Sequence, residues 1–381
     1  MKFTISKSQL NEAIQHVSKA ISSRTTIPIL TGIKIDAAAN GITLTASDTD
    51  ISIQTFIPVE EDGKPIVTLE RTGSVVVPAK FFVDIVRKLP ANQVLVEVNE
   101  QFQIGIRSGT SEIQLAGLDP EEYPLLPRLT ENQTLTMPSE VLKSMIRQIV
   151  FAVSANEATP VLTGVLCALD DGVLRFVATD RHRLASIERN IDCSPELKFH
   201  NIVISGKNLN ELSKILPEQN TTIDIVVADN QVLFRVKNLL FYTRILDGTY
   251  PDTSKIIPQS YKTEATFAVR PLADAIDRAY LLSREEKTNI VRITTIEDEG
   301  QVEVSSSSSE LGRVTELVPV EQFTGEPLKI SFNSKYMLDV LKVTDQSAIR
   351  IGFTGAMSPM ILRPIDEEDV LHLILPYRTT N

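Results

Sequence analysis

The sequence predicts an α+β fold made of three tandem copies of one domain, each with two helices packed on antiparallel sheets. Internal repetition is the first observation behind this. Pro28-Ile29-Leu30-Thr31-Gly32 returns 132 residues later as Pro160-Val161-Leu162-Thr163-Gly164, and Thr45-Ala46-Ser47-Asp48 returns at the same offset as Val177-Ala178-Thr179-Asp180. A fixed period is read before any local feature, because it decides the architecture. The strand-like start Lys2-Phe3-Thr4-Ile5 matches Thr134-Leu135-Thr136-Met137 and, more faintly, Thr266-Phe267-Ala268-Val269. Length is the second observation, since 381 residues divide into three lengths of a common domain size. The copies are set at 1–127, 128–252 and 253–381. Tyr123-Pro124-Leu125-Leu126-Pro127 and Tyr250-Pro251-Asp252-Thr253, rich in turn-forming proline, sit where copies join.

Within each copy a strand, a helix and several strands occur twice. Phe3 to Ile5 reads as a strand. Residues 7–20 then place Leu10, Ile14, Val17 and Ile21 at helical spacing. Strands follow at Ile33–Ile35, Ile42–Thr45 and Ile51–Phe56, and Ser74–Val77 begins the second round. Pro78 suits a first helical turn, where its missing N–H costs nothing, and Phe82, Ile85, Val86 and Leu89 carry that helix. Strands at Val94–Val98, Phe102–Ile106 and Glu112–Leu115 close the copy. The later copies repeat this, with helices near 138–150, 206–216, 270–284 and 333–342. A helix apolar on one stripe buries it against a sheet, so each copy has two layers. Copies placed head to tail close into a ring if the rotation allows.

Hydrophobic residues make up 42 % of the chain, and no apolar run approaches a membrane span. The start lacks the basic-then-apolar pattern of a signal peptide. Cys167 and Cys193 form neither a disulfide framework nor a metal spacing and read as free thiols in a reducing cytoplasm. The net charge of −11 argues against nucleic acid until it is sorted by element. The six helical segments hold 14 Lys or Arg against 7 Asp or Glu, whereas the remainder holds 24 against 42. Each segment is net positive. Its cations are Lys7 and Lys19; Lys80, Arg87 and Lys88; Lys143 and Arg147; Lys207 and Lys214; Arg270, Arg278 and Arg284; Lys335 and Lys342. A positive surface inside an acidic shell holds DNA by its phosphates without reading bases. No zinc-finger spacing, helix-turn-helix or RNA-binding aromatic signature accompanies it.

The densest polar stretch is Ala178-Thr179-Asp180-Arg181-His182-Arg183-Leu184-Ala185. This octamer resembles the A-T-D-x-H-R-L-A signature of the bacterial sliding clamps, the β subunits of DNA polymerase III. Met1-Lys2-Phe3, Pro28-Ile29-Leu30, Asp247-Gly248-Thr249-Tyr250-Pro251-Asp252 and Leu375-Pro376-Tyr377-Arg378 agree with it, and the resemblance spans the chain. It implies three clamp domains per chain and a head-to-tail homodimeric ring around duplex DNA, with helices lining the hole. It further implies a processivity factor, not an enzyme, located in the cytoplasm, with no cofactor, no metal and no membrane. Its expected partners are the replicative DNA polymerase, the clamp loader, repair polymerases and mismatch-repair proteins.

Carried over by position, the partner-peptide pocket comprises Leu162, Thr179, Arg181, His182, Arg183, Leu184, Pro251, Lys255, Ile256, Leu373, Ile374, Leu375, Pro376, Tyr377 and Arg378. Apolar residues make a slot for a peptide's leucine and aromatic side chains, while Thr179, His182 and Arg183 offer hydrogen bonds. The family often has glycine where Arg181 stands and Met-Pro-Met where this chain has Leu-Pro-Tyr. DNA-facing residues are Arg24, Lys80, Arg87, Lys88, Lys143, Arg147, Lys207 and Lys214. Paired tyrosines that touch DNA in some clamps are replaced here by Pro160 and Val161. Ile113 and Leu115 of copy one and Leu281 and Leu282 of copy three match dimer-interface positions.

Two other readings compete. A repeat scaffold binding peptides without DNA has no reason to keep all six helices positive. A hydrolase using Asp180 and His182 as an acid–base pair lacks a nucleophile motif, and Asp48 occupies the same place in copy one without a histidine. Both aspartates suit turns, where the side chain bonds its own following backbone.

Overall fold

The computed structural model of the protein describes residues 1–22, 25–126, 134–217, 220–285, 289–296, 300–308 and 310–378. Arg24 lies outside them.

The repeated Pro-x-Leu-Thr-Gly segment shows how sequence sets local geometry. Pro28–Thr31 and Pro160–Thr163 each form one 3-10 turn, entered by proline with its φ already fixed. The threonine closes each turn by donating to the proline carbonyl, Thr31 Oγ1 to Pro28 at 2.8 Å and Thr163 Oγ1 to Pro160 at 2.7 Å. Leu30 and Leu162 point inward and are buried. The glycine is required by close approach. A Cβ on Gly32 would stand 2.5 Å from Val76, and one on Gly164 would stand 2.6 Å from Val203.

Among the described residues six α-helices fall at the expected places: α1 Lys7–Val17, α2 Ala79–Lys88, α3 Ser139–Ile149, α4 Gly206–Ile215, α5 Val269–Glu285 and α6 Ser334–Val343. Ser6 caps α1 through Gln9 N, and Asn333 caps α6 through Lys335 N. Pro78 ends a strand and stands at the N-cap of α2, one position before the first turn assigned to it from sequence.

The chain packs as two compact units, Met1–Val141 with Glu211–Ile245 and Leu142–Asn210 with Leu246–Asn381, the division falling inside α3 and α4. The first contains a five-stranded antiparallel sheet ordered Ser111–Ala116, Gln103–Ser108, Gln93–Val98, Lys2–Ser6, Val67–Arg71. Its eight-stranded sheet runs Thr134–Pro138, Thr222–Val227, Gln231–Val236, Leu239–Arg244, Ile51–Pro58, Gly41–Ser47, Gly32–Ala38, Gly73–Pro78. Within this unit α1 buries Leu10, Ala13, Ile14 and Val17, and α2 buries Phe82 and Val86.

The second unit contains a nine-stranded antiparallel sheet ordered Phe199–Ser205, Gly164–Asp170, Val173–Thr179, Arg183–Asn190, Val370–Ile374, Met360–Pro364, Ala348–Phe353, Thr263–Ala268, Gln322–Gly325. A four-stranded sheet runs Gly312–Pro319, Gln301–Ser308, Ile290–Thr295, Lys329–Asn333. One core joins α5 and α6 to both sheets through Phe267, Leu272, Ile276, Val304, Phe332 and Leu341.

Packing units and sequence copies differ for a definite reason. Successive copies share sheets: Ile51–Pro58 pairs with Leu239–Arg244, and Arg183–Asn190 pairs with Val370–Ile374. The backbone groups of strands that would be edges are thereby satisfied between copies.

Candidate functional site

The polar octamer folds as a tight turn between the strands Val173–Thr179 and Arg183–Asn190. Asp180 Oδ1 accepts from the backbone N–H of His182 at 2.9 Å and of Arg183 at 3.0 Å. Asp48 does the same in copy one, accepting from Asp50 at 3.1 Å and Ile51 at 2.9 Å. Both aspartates are turn residues, and the Asp180 carboxylate is spent on this local structure. The turn places Arg181 at φ 76° and Thr49, its equivalent, at φ 81°, the left-handed region that favours glycine.

Thr179, read as a donor toward a ligand, is turned inward. Its hydroxyl donates to the Arg183 carbonyl at 2.6 Å and accepts from Arg181 N at 3.2 Å, because a buried hydroxyl must find partners close by. Arg183 is likewise occupied, its Nε at 3.0 Å from Asp180 Oδ2 and its Nη1 at 2.6 Å from Asp339 Oδ2. His182 and Arg181 are exposed, and Arg181 donates to Thr159 Oγ1 at 3.2 Å.

Below the turn lies an apolar cluster. Leu184 and Leu373 stand directly opposite on paired strands, and Leu162 joins them from its 3-10 turn. Val177, Val203, Tyr250, Ile361 and Leu371 complete the cluster, with Ile257 and Tyr261 packed against it. Of these, Tyr250 is marked by the sequence as a junction residue and a member of the Asp247–Asp252 motif, but not as part of the site. Its hydroxyl accepts from Thr179 N at 3.0 Å, and burial pushes the phenol's pKa well above the ordinary value. A tyrosine repeated at each copy junction, Tyr123 and Tyr250, was the signal that could have found it, since both are buried.

One expected member, Ile374, stands elsewhere, and another, Ile256, is open to solvent. Ile374 belongs to the core around α5 and α6, because successive strand residues face opposite sides and Leu373 already faces the cluster. Ile256 is 47 % exposed in the turn Ser254–Ile256, and its neighbour Ile257 packs inward instead. Pro251 and Lys255 are exposed. The tail crosses beside the turn: Leu375 N donates to the His182 carbonyl at 2.9 Å, Pro376 bridges Phe332, and Tyr377 N donates to the Ser331 carbonyl at 2.7 Å. Leu375, Tyr377 and Arg378 are thereby held at the surface, exposed, with Pro376 half-buried.

The same frame exists where copies one and two meet. There the opposed pair Leu184 and Leu373 becomes Ser52 and Tyr242, with Leu30 in the place of Leu162. A serine and a phenol replace two leucines, so the opposed pair at the second junction is the apolar one.

The basic helix residues differ in their surroundings. Arg87 pairs with Asp84 at 2.6 Å, Lys214 with Glu211 at 2.6 Å, and Arg147 with Asp345. Lys80, Lys88 and Lys207 are exposed, the Lys80 ammonium lying 5.7 Å from the Phe81 ring centre, and Lys143 is half-buried. Ile113 and Leu115 are half-buried on the edge strand Ser111–Ala116, while Leu281 and Leu282 lie near the end of α5, Leu281 exposed and Leu282 half-buried. Among the described residues no helix is long and apolar enough to cross a membrane.

Three protein families match in order along the chain: the DNA polymerase III beta subunit N-terminal domain at residues 1–127, its central domain at 136–252 and its C-terminal domain at 254–378. The beta sliding clamp of Bacillus subtilis is 50 % identical over 379 residues, covering all of both chains. The crystal structure of the Bacillus subtilis DNA polymerase sliding clamp superposes with a TM-score of 0.96 at 50 % identity and full coverage of both. The Streptococcus pneumoniae DNA polymerase III beta chain gives a TM-score of 0.94 at 37 % identity, over 99 % of this chain and 100 % of that one.

Proposed function

The chain belongs to the DNA polymerase III beta subunit family, the sliding clamps, and on that footing we propose that it closes with a second copy into a head-to-tail ring around duplex DNA. It is a DNA sliding clamp, a non-catalytic processivity factor of DNA polymerase III. One observation carries this: three clamp domain families follow in order along one chain, at 50 % identity over its length to a clamp.

Two exposed sheet edges support the ring. Ser111–Ala116 is the last strand of the five-stranded sheet, and Gly312–Pro319 is the last of the four-stranded sheet. Such edges are templates for pairing with another chain, and Ile113 and Leu115 on one, with Leu281 and Leu282 on α5, supply apolar area for it. The units of the repeat are 1–127, 128–252 and 253–381, each carrying two of the net-positive helices. Lys80, Lys88, Lys143 and Lys207, with Arg87, Arg147 and Lys214, face the duplex and meet its phosphates without base readout.

The partner site is the cluster of Leu162, Leu184 and Leu373 with the rim of Arg181, His182, Pro251, Lys255, Leu375, Pro376, Tyr377 and Arg378. An apolar floor crossed by an ordered backbone tail suits a short peptide with two apolar anchors. The replicative polymerase, the clamp loader, repair polymerases and mismatch-repair proteins share it by turns, in the cytoplasm.

The test is topological. Protein loaded onto a nicked circular plasmid by a clamp loader stays with the circle through gel filtration at high salt and is lost when the circle is cut once. Equal retention on circular and linear DNA overturns the ring.

A further inference from the structure

Arg183 is the most heavily engaged cation of the site. Its side chain is only 11 % exposed, and it bridges two carboxylates, Asp180 of its own turn and Asp339 of α6. The guanidinium carbon lies 4.5 Å from the Tyr336 ring centre and 5.5 Å from that of Phe151. Asp180 divides its two oxygens between tasks: Oδ1 holds the backbone of His182 and Arg183, and Oδ2 holds the Arg183 side chain. A planar guanidinium has donors in a fixed fork, so its position fixes both carboxylates at once. The turn that carries Arg181 and His182 is therefore fastened to α6 by one side chain, across 156 positions of sequence.

We infer that Arg183 and Asp339 are positioning residues for the partner site: Arg183 does not bind the peptide but sets, through Asp180, where Arg181, His182 and Leu184 stand. This rests on the peptide reading of the site given above. A surface ion pair has little effect, whereas removing one partner of a nearly buried pair leaves the other charge unsatisfied. The fork's second carboxylate lies on a helix that no motif marks, which is why the sequence alone directs Arg183 toward the ligand instead.

The experiment measures binding of a fluorescent peptide of the type glutamine-leucine-x-leucine-phenylalanine to the full-length protein. Asp339→Asn, which keeps shape and removes charge, is expected to weaken binding about tenfold although Asp339 never meets the peptide. Arg183→Lys, which keeps charge and loses the fork, is expected to do the same, and the double variant to be no worse than either. Asp339→Glu restores affinity to within about threefold of the parent. In the peptide-free protein the amide resonances of Arg181 and His182 shift in Asp339→Asn, which a change in global stability alone does not produce. Unchanged affinity in Asp339→Asn together with a loss in Arg183→Lys makes Arg183 a direct ligand and overturns the inference. Leu373→Ser separates the two claims: if it binds peptide at full strength, the site itself lies elsewhere.

Discussion

His372 stands one residue before Leu373 and is 1 % exposed, with its ring centre 5.6 Å from that of Phe151 and its Nδ1 without a hydrogen-bond partner among the described residues. Burial disfavours the charged ring and pushes its pKa down to about 3. An unfolded histidine titrates near 6.5, so below that pH the unfolded chain takes up a proton that the folded chain refuses. Stability is full above 6.5 and is lost as pH falls toward 3, by about 1.4 kcal/mol per unit for this residue. Acidification from pH 7 to 5 is thus expected to cost about 2 kcal/mol here, and His372→Met to be spared that loss. Urea midpoints at both pH values decide it; equal losses in parent and variant remove His372 as the cause. Arg181 sets a second case. Its φ of 76° stores strain of about 1 kcal/mol, which glycine relieves while giving back about 0.4–1 kcal/mol through a freer unfolded chain. Arg181→Gly is therefore expected to leave stability level or slightly raised, and Arg181→Val to lower it by more than about 1 kcal/mol. A clear loss in the glycine variant rejects this account. Asp180 and Asp48 were legible as turn formers because their bonds close within three residues. Thr179 and Arg183 were not, because what occupies them is set by tertiary neighbours.

At the scale of elements, helices were legible wherever apolar residues recur every three or four positions. The strand pairs joining copies were not. Nothing local in Arg183–Asn190 says that it meets Val370–Ile374 rather than a strand of its own copy. Once that pairing is known, alternation assigns Leu373 to the cluster and Ile374 to the core, which position in the family motif alone did not. The tail follows the same logic. Residues beyond Ile374 are fixed by two backbone donors, Leu375 N and Tyr377 N, and by proline, which has no N–H and a rigid φ. Removing the last six residues deletes Pro376 and Tyr377 but leaves the Leu375 bond and all the strands. The truncated protein is expected to keep its thermal midpoint within a few degrees, since one net hydrogen bond amounts to about 1 kcal/mol. Peptide binding at micromolar strength, about −8 kcal/mol, is expected to vanish. Full-strength binding by the truncated protein moves the site away from the tail.

At the scale of the whole molecule, net charge and helix charge have opposite signs, and pairing tempers the helices further. Arg87, Arg147 and Lys214 each have a carboxylate beside them, so in the proposed ring a duplex would meet fewer unscreened cations than the sequence count implies. Weak direct attraction suits the proposed ring, which closure rather than affinity would hold on DNA through a rise in salt. Closure of the proposed ring then depends on the joint between copies of the chain. Full burial of an exposed aliphatic side chain contributes about 1.5–3 kcal/mol, and Ile113, Leu115, Leu281 and Leu282, already part-buried, each add about half of that at the joint, several kcal/mol together. A charge set among them has no partner and must be desolvated or expose the joint to water. Leu282 is the better position to test, because it is half-buried on α5 while Leu281 is half in solvent. Leu282→Asp is expected to yield folded monomers of 42.2 kDa in place of a dimer of about 84 kDa. Light scattering at micromolar concentration reads the mass directly, and circular dichroism checks that the monomer is folded. The monomer should still bind peptide, because every residue of that site comes from one chain. An unchanged dimer mass rejects this joint, and a folded monomer that has lost peptide binding rejects a site complete within one chain.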